Sequence, residues 1–138
     1  MELNAYVTFN GQCEEAFRFY ERCLGGKIEM MLTHRDSPMA EQTPAELRSR
    51  IMHARMTVGN AVLMGSDAPP QFFSQPQGFS VSISVNDADE AEQIFTALAE
   101  GATVRMPLQE TFWAKRFGML IDRFGTPWMV SCESRPDR

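Results

Sequence analysis

Residues 109–130 read QETFWAKRFGMLIDRFGTPWMV, and this stretch decides how the second half of the chain folds. It contains both tryptophans, Trp113 and Trp128, among regularly spaced charged residues. Strand-like runs lie on either side of 122–127, DRFGTP, where a glycine supplies a turn and Pro127 fits only a strand start or edge. The stretch therefore predicts a β-hairpin, and we expect this hairpin to form one wall of a binding site.

The first half of the chain predicts one helix and four strands. Apolar residues recur at the helical period within 12–24, and Gly25-Gly26 ends the helix. A polar loop with two prolines follows at 35–47, and Gly59-Asn60 supplies a tight hairpin turn. The predicted elements are the helix 12–24 and the strands 3–9, 27–34, 51–58 and 61–66.

The second half repeats this pattern after a break at 68–77, APPQFFSQPQ, whose three prolines exclude regular structure. Strict alternation in GFSVSISV predicts a strand, and Asn86-Asp87 offers an N-cap for the helix that follows. The predicted elements are the helix 88–100 and the strands 78–85, 103–110 and the two of the hairpin that turns at 122–127.

The repeated order indicates an internal duplication. The two hairpin turns, at Gly59 and Gly125, lie 66 positions apart (125 minus 59). The predicted fold class is α+β, with tandem βαβββ modules at 1–67 and 78–133, a linker at 68–77 and a polar tail at 134–138, all in one structural domain. Side by side, the modules would form a curved mixed sheet with helices outside and a concave face, where a small ligand would bind.

The composition of the chain limits the classes of partner that we expect it to bind. The net charge is −5 and no basic cluster occurs, so nucleic acid and anionic membranes are not expected partners. No apolar run is long enough to cross a bilayer, and the N-terminus does not resemble a signal peptide, so a cytoplasmic protein is predicted. Three cysteines, Cys13, Cys23 and Cys132, cannot all pair within one chain, and we expect reduced thiols without a catalytic role.

Three blocks of sequence carry a resemblance to a known family. They are AYVTFNGQCEEAFRFYERCLGG at 5–26, VGNAVLMGSDAP at 58–69 and QETFWAKRFGMLIDRFGTPWM at 109–129. With these blocks the chain resembles the vicinal oxygen chelate superfamily of glyoxalase I, extradiol dioxygenases and the fosfomycin and bleomycin resistance proteins, and within it the PhnB-like branch. The resemblance implies the paired βαβββ fold, known as the glyoxalase/bleomycin resistance fold, and a homodimer.

The resemblance also implies positions for a metal site. Metal-using members carry His or Gln on the first strand of each half and Glu on the last strand. The corresponding positions here hold Ala5, Ser80, Leu63 or Met64, and Met129. None of these side chains is a good ligand for a divalent cation, so we expect neither a metal nor another cofactor.

The PhnB-like branch is sometimes labelled 3-demethylubiquinone-9 3-methyltransferase-like. A Rossmann domain that binds S-adenosylmethionine needs a glycine-rich turn between a strand and a helix. Here Gly25-Gly26 follows a helix and enters a strand. The label therefore does not predict methyl transfer.

Polar candidates for the site lie on two strands and one turn. His53 and Arg55 share one face of their strand and could bind an anionic or carbonyl-bearing ligand, or could be half-exposed strand residues. Glu110 and Asp122 lie near the tryptophans, where desolvation would raise the pKa of a carboxylate toward use as a general base. The alternative for Asp122 is that it caps the turn. We take Glu110 and His53 as the candidate catalytic residues.

Four aromatic residues of the opening stretch are candidates for ligand binding. Phe112, Trp113, Phe117 and Trp128 could stack on a flat ligand together with Arg55, or could form a dimer contact. The first hypothesis is a metal-free protein that binds a small organic molecule. The second is an isomerase, lyase or dioxygenase-type enzyme that uses Glu110 or His53, with or without an adventitious metal. The third is an interaction module.

Overall fold

The computed structural model describes residues 1–133, so the predicted tail 134–138 lies outside the described residues. The chain divides into two compact units, Met1–Ser74 and Gln75–Arg138, and the boundary falls inside the predicted linker. We call them the first and the second unit. The first contains β1 Ala5–Phe9, α1 Cys13–Leu24, β2 Lys27–Thr33, β3 Ile51–Val58 and β4 Ala61–Asp67, and the second contains β5 Val81–Val85, α2 Ala88–Leu98, β6 Thr103–Gln109, β7 Arg116–Ile121 and β8 Pro127–Cys132.

Each unit has one four-stranded mixed sheet, and the two sheets have the same topology. The strand orders are β1-β4-β3-β2 and β5-β8-β7-β6. In each sheet the first and last strands of the unit are parallel neighbours, and the other pairs are antiparallel. The predicted α+β class and the repeated βαβββ order are confirmed. The joining of both sheets into one curved surface stays a prediction.

Both predicted hairpins are present, and the strand predicted at 78–85 is the one that is shortened most. Val58 pairs with Ala61 across the first turn, and Ile121 pairs with Pro127 across the second. The predicted strand 78–85 begins only at Val81, because Gly78 has a φ of 84°, a left-handed conformation that interrupts an extended strand.

The predicted loop between β2 and β3 contains three short 3₁₀ turns. They are His34–Asp36, Ala40–Gln42 and Ala45–Leu47. The Arg48 Nε donates to the carbonyl oxygens of Ala40 and Thr43, at 3.0 Å in each case. These bonds hold a segment that has little apolar core of its own.

Helix α1 covers one face of the first sheet. A Cβ added to Gly65 would lie 2.8 Å from the Phe17 ring of the helix, so Gly65 faces α1 and permits close packing. Val7 and Ala54 are paired with Gly65 and share that face. Because side chains alternate along a strand, the neighbours of these residues lie on the opposite face, which carries no helix of this unit.

Helix α2 packs on the second sheet in the same way. A Cβ on Gly118 would lie 2.8 Å from the Phe95 ring, so the row Ile83, Val130 and Gly118 faces α2. Val130 is fully buried, and Ile94 and Phe95 of the helix are each 8% exposed. Each such buried apolar side chain contributes roughly 2 kcal/mol to folding.

Asp67, at the end of β4, joins three segments of the first unit. Its Oδ1 accepts the backbone N–H groups of Gly11 (2.9 Å) and Cys13 (3.0 Å), and its Oδ2 accepts that of Ile51 (2.9 Å). The N-cap residue of α1, Gln12, makes no side-chain cap bond. Asp67 therefore caps α1 from a distant strand and fixes the start of β3 as well.

The Cys13 thiol lies in the same buried region. Burial raises its pKa well above the usual range, and the carboxylates of Asp67 and Glu14 raise the pKa further. A thiolate is the nucleophilic form of cysteine. Cys13 is therefore a core residue whose environment disfavours that nucleophilic form.

Replacement of Asp67 by Ala removes the acceptor of three backbone N–H groups. Because each buried donor left without an acceptor costs about 1–3 kcal/mol, we expect the free energy of unfolding to fall by roughly 3 kcal/mol or more. Asp67→Asn keeps an oxygen for two of the donors and directs an NH₂ group at the third, so the expected loss is smaller. Urea-induced unfolding measures both values.

The matched control is Asp89→Ala. Asp89 is an exposed acidic residue in the first turn of α2, and its removal should change the free energy of unfolding by only about 0.5 kcal/mol. An Asp67→Ala protein as stable as the Asp89→Ala protein would show that Asp67 does not join the three segments.

Candidate functional site

The face of the second sheet that does not contact α2 carries a mixed set of side chains. We call it the second open face. It contains Ser82, Ser84, Phe117, Met119, Met129 and Ser131, which alternate with the residues packed on the helix. Ser84 pairs with Ser131, and the two hydroxyl oxygens lie 3.3 Å apart. Ser131 in turn pairs with Phe117, so hydroxyl groups lie beside an aromatic ring.

Three aromatic residues form what we call the aromatic cluster: Phe112, Trp113 and Phe117. The ring centroids of Trp113 and Phe117 lie 5.5 Å apart with an interplanar angle of 62°. Those of Phe112 and Trp113 lie 4.8 Å apart at 80°. Both are edge-to-face contacts of the kind that aromatic pairs prefer. The structure thus brings together three of the four aromatic residues that the sequence suggested for ligand binding.

A turn built on Thr111 holds the aromatic cluster in place. The Thr111 Oγ1 accepts the backbone N–H groups of Trp113 (3.4 Å) and Ala114 (3.1 Å). The Thr111 N–H donates to the Ala114 carbonyl oxygen at 3.0 Å, and the Ala114 side chain is fully buried. The turn is therefore anchored at both ends, and Trp113 projects from it with 46% of its surface exposed.

Trp128 does not join the aromatic cluster. It is only 1% exposed, and it pairs with Val81 and Leu120, whose side chains face α2. Its Nε1–H donates to Asp122 Oδ2 at 2.8 Å. The ring is thus a core residue, which corrects the expectation that it would be available to stack on a ligand.

Asp122 adopts the turn-capping alternative. Its Oδ1 accepts the backbone N–H groups of Phe124 (2.8 Å) and Thr126 (3.0 Å), and the side chain is only 4% exposed. Together with the bond from Trp128, these contacts hold the second hairpin turn.

Glu110 is exposed at the start of the loop that follows β6. It immediately precedes Thr111, so it lies beside the turn that holds the aromatic cluster. Its use as a general base stays a prediction.

The first unit has a corresponding open face, which we call the first open face. His53 and Arg55 lie on it, because Ala54 between them faces α1. Tyr6 lies there too, and its hydroxyl is 3.1 Å from His53 Nδ1 in a hydrogen bond whose donor depends on the histidine tautomer. The two rings are stacked, with centroids 5.7 Å apart.

Tyr6 is the residue that sequence reasoning missed. The resemblance implies Ala5 at the ligand position of the first strand, but Ala5 pairs with Leu63, which is 7% exposed on the helix side. The signal available in the sequence was the alternation within AYVTF, where Val7 and Phe9 are the core residues. The contact with His53 spans 47 positions and cannot be seen in a local pattern.

The donor set on the open faces does not fit the metal site that the resemblance implies. The family's ligands lie on the first and last strands of each half. In the first unit these strands are β1 and β4, which also place Thr8 and Ser66 on the open face. Hydroxyl and thioether groups are poor ligands for divalent cations. Among residues 1–133, no three His, Cys, Asp or Glu side chains lie close enough together to hold a metal ion.

No helix within the described part of the chain is long and apolar enough to cross a membrane.

Comparison with known proteins supports the assignment of a family. A family model described as 3-demethylubiquinone-9 3-methyltransferase matches residues 2–131. Protein YjdN of Escherichia coli K12 is 32% identical over 139 residues, with 95% of each chain covered. The crystal structure of protein PA1353 from Pseudomonas aeruginosa is 48% identical, with a TM-score of 0.89 and coverage of 98% of this chain and 99% of that one.

More distant structures share the fold. The PhnB protein from Bacillus cereus is 22% identical with a TM-score of 0.78, over 95% of this chain and 98% of that one. A glyoxylase/bleomycin resistance protein/dioxygenase domain from Frankia is 14% identical with a TM-score of 0.64, over 97% and 98%. The fold is therefore the glyoxalase/bleomycin resistance fold, and the chain belongs to the PhnB-like family that the matching model describes as 3-demethylubiquinone-9 3-methyltransferase.

Proposed function

We propose that this protein binds a small organic molecule with a flat apolar part, in a site that uses no metal. The flat part stacks on the aromatic cluster of the second open face. The observation that carries the proposal is the exposure of two neighbouring aromatic rings, 46% for Trp113 and 82% for Phe112. Contiguous exposed apolar surface on a folded protein marks an interaction site.

The rigidity of the cluster supports ligand binding. The Thr111 turn and the buried Ala114 fix the backbone on both sides of Trp113. Because the rings already contact one another in the unbound chain, little conformational entropy is lost when a ligand binds.

Polar groups beside the rings would orient the ligand. Ser131 pairs with Phe117 and is only 4% exposed, and its hydroxyl lies 3.3 Å from that of the exposed Ser84, so Ser84 is the group that a ligand can reach. A hydroxyl donates one hydrogen bond and accepts others, so Ser84 matches a ligand with carbonyl or hydroxyl groups at its edge. A flat molecule with one polar edge is the ligand class that this surface fits best.

The second candidate function is an enzyme of the isomerase, lyase or dioxygenase type. The hydrogen bond between Tyr6 and His53 favours it, because an imidazole bonded to a phenol can transfer a proton to or from a substrate. Glu110, beside the Thr111 turn, is the other candidate acid or base. Turnover of a compound that binds this protein, lost in either the His53→Gln or the Glu110→Gln protein, would favour the enzyme over the binding protein.

The absence of a metal requirement is testable by calorimetry. Titration of the purified protein with nickel, zinc and ferrous ions should give no stoichiometric tight binding, because beside the single imidazole of His53 the open-face residues described above supply hydroxyl and thioether groups, which are poor ligands. Elemental analysis of protein purified without chelator is the companion measurement. One equivalent of tightly bound metal would contradict the metal-free proposal.

Trp113→Ala tests the binding surface, with 5-fluoroindole as a flat neutral probe followed by fluorine NMR line broadening. Removal of the exposed ring should weaken binding about tenfold, since an aromatic contact contributes roughly 0.5–1.5 kcal/mol beyond the area it buries. The midpoint of thermal unfolding should change little, because the Trp113 side chain extends outward from the anchored turn.

Phe79→Ala is the matched control, because Phe79 is another exposed aromatic residue of the second unit, outside the cluster. It should leave probe binding unchanged. Equal effects of the two substitutions would refute a specific site.

Light scattering on the same samples tests the predicted homodimer. Dissociation of a dimer by Trp113→Ala would assign the aromatic rings to a contact between subunits.

A further inference from the structure

Arg55 differs from the other arginines of the described chain. It is half-buried, and among residues 1–133 it makes no hydrogen bond and no ion pair. Arg35 and Arg105 also lack such a bond but are exposed. Arg123 forms an ion pair with Glu100 at 3.9 Å. The remaining arginines donate hydrogen bonds to carbonyl, amide or carboxylate oxygens: Arg18, Arg22, Arg48, Arg50 and Arg116.

The residues that pair with Arg55 on the two adjacent strands are apolar. Met64 on β4 and Met30 on β2 are in register with it on either side. A guanidinium between two thioether side chains is partly removed from water without a protein acceptor, which is unfavourable for folding. A bound anion would supply the acceptor that the protein does not. The attraction between the anion and the guanidinium is stronger there than it would be in water.

A second polar group lies close to Arg55 on the first open face. His53 is two residues away on the same face of β3, so its Cα lies about 7 Å from that of Arg55. Its Nδ1 is bonded to the Tyr6 hydroxyl. The imidazole Nε2 makes no hydrogen bond to residues 1–133, which leaves it available to a ligand.

The surface around these groups can accept an apolar body. Met30 pairs with Arg55 and Leu32 pairs with His53, and these two side chains are 41% and 37% exposed. The cationic group therefore lies beside an exposed apolar strip on the edge strand β2.

The acidic residue of that strand does not neutralise Arg55. Glu29 accepts a hydrogen bond from the Thr57 hydroxyl at 3.0 Å and forms no ion pair with the guanidinium. Since the whole chain has a net charge of −5, a positive site that the protein leaves uncompensated is unexpected unless a ligand uses it.

We propose that the first open face binds the oxyanion group of a small organic acid. Arg55 receives the carboxylate or phosphate oxygens, the Tyr6–His53 pair supplies a further hydrogen bond, and the apolar body of the acid lies on Met30 and Leu32. A planar guanidinium matches both kinds of oxyanion with two parallel hydrogen bonds. All residues of this site belong to the first unit, and the proposal does not rest on the function proposed above.

The test is an NMR titration of isotopically labelled full-length protein with acetate, hexanoate and inorganic phosphate, each at an ionic strength held constant with sodium chloride. Saturable shifts of the Arg55 side-chain and His53 ring signals are expected. Hexanoate should bind more tightly than acetate, by up to about fourfold for each methylene group that becomes buried. The stronger of the carboxylate and phosphate responses identifies the oxyanion that the site prefers.

Substitution of single arginines shows where on the protein the oxyanion binds. Arg55→Gln should weaken binding of the preferred probe by about 10- to 100-fold, the range expected for loss of a charged hydrogen-bond donor. Arg105→Gln makes the same change of charge at an exposed position and should have no effect. Arg55→Met should keep or raise the midpoint of thermal unfolding, because no protein group loses a partner.

The proposal is overturned if none of the three probes gives a saturable shift at Arg55 or His53. It is also overturned if Arg105→Gln weakens binding as much as Arg55→Gln does, because that result would mean attraction by net charge alone.

Discussion

A single helix cannot cover both faces of a four-stranded sheet, and the candidate sites of this protein follow from that constraint. In each unit the close approach of sheet and helix requires a glycine, Gly65 opposite Phe17 and Gly118 opposite Phe95. These contacts decide which alternate residues become core. They leave the other residues of the same strands on an open face, where polar and aromatic side chains are free to take part in binding.

Buried aspartates, more than ion pairs, hold the segments that surround these faces. Asp67 accepts three backbone N–H groups in the first unit, and in the second unit Asp122 accepts two backbone N–H groups and the Trp128 indole. The ion pairs are exposed, as in Arg18–Glu14, and contribute little to stability. Both aspartates accept hydrogen bonds from N–H groups of the backbone or of Trp128. Neither carboxylate uses Arg55 as a partner.

The fold could be read from the sequence because its signals are local. The alternation of β5 and the turns at Gly59 and Gly125 recur in both halves, and the resemblance to a family agreed with them. The site could be read only in part. Periodicity shows that Trp128 alternates with Met129 but not which of the two faces α2. It also cannot show that Asp122, at the other end of the hairpin turn, accepts the indole N–H. Likewise, the pairing of Tyr6 with His53 depends on strand order, which local pattern does not specify.

Methionine methyl NMR reports on the second open face itself, where we propose that a small flat molecule binds. Met119 and Met129 are paired on that face, whereas Met56 is fully buried on the helix side of the first sheet. In protein labelled at the methionine methyl carbons, addition of 5-fluoroindole should shift the Met119 and Met129 signals and leave the Met56 signal unchanged. Unchanged Met119 and Met129 signals at a probe concentration that saturates binding would contradict that proposal.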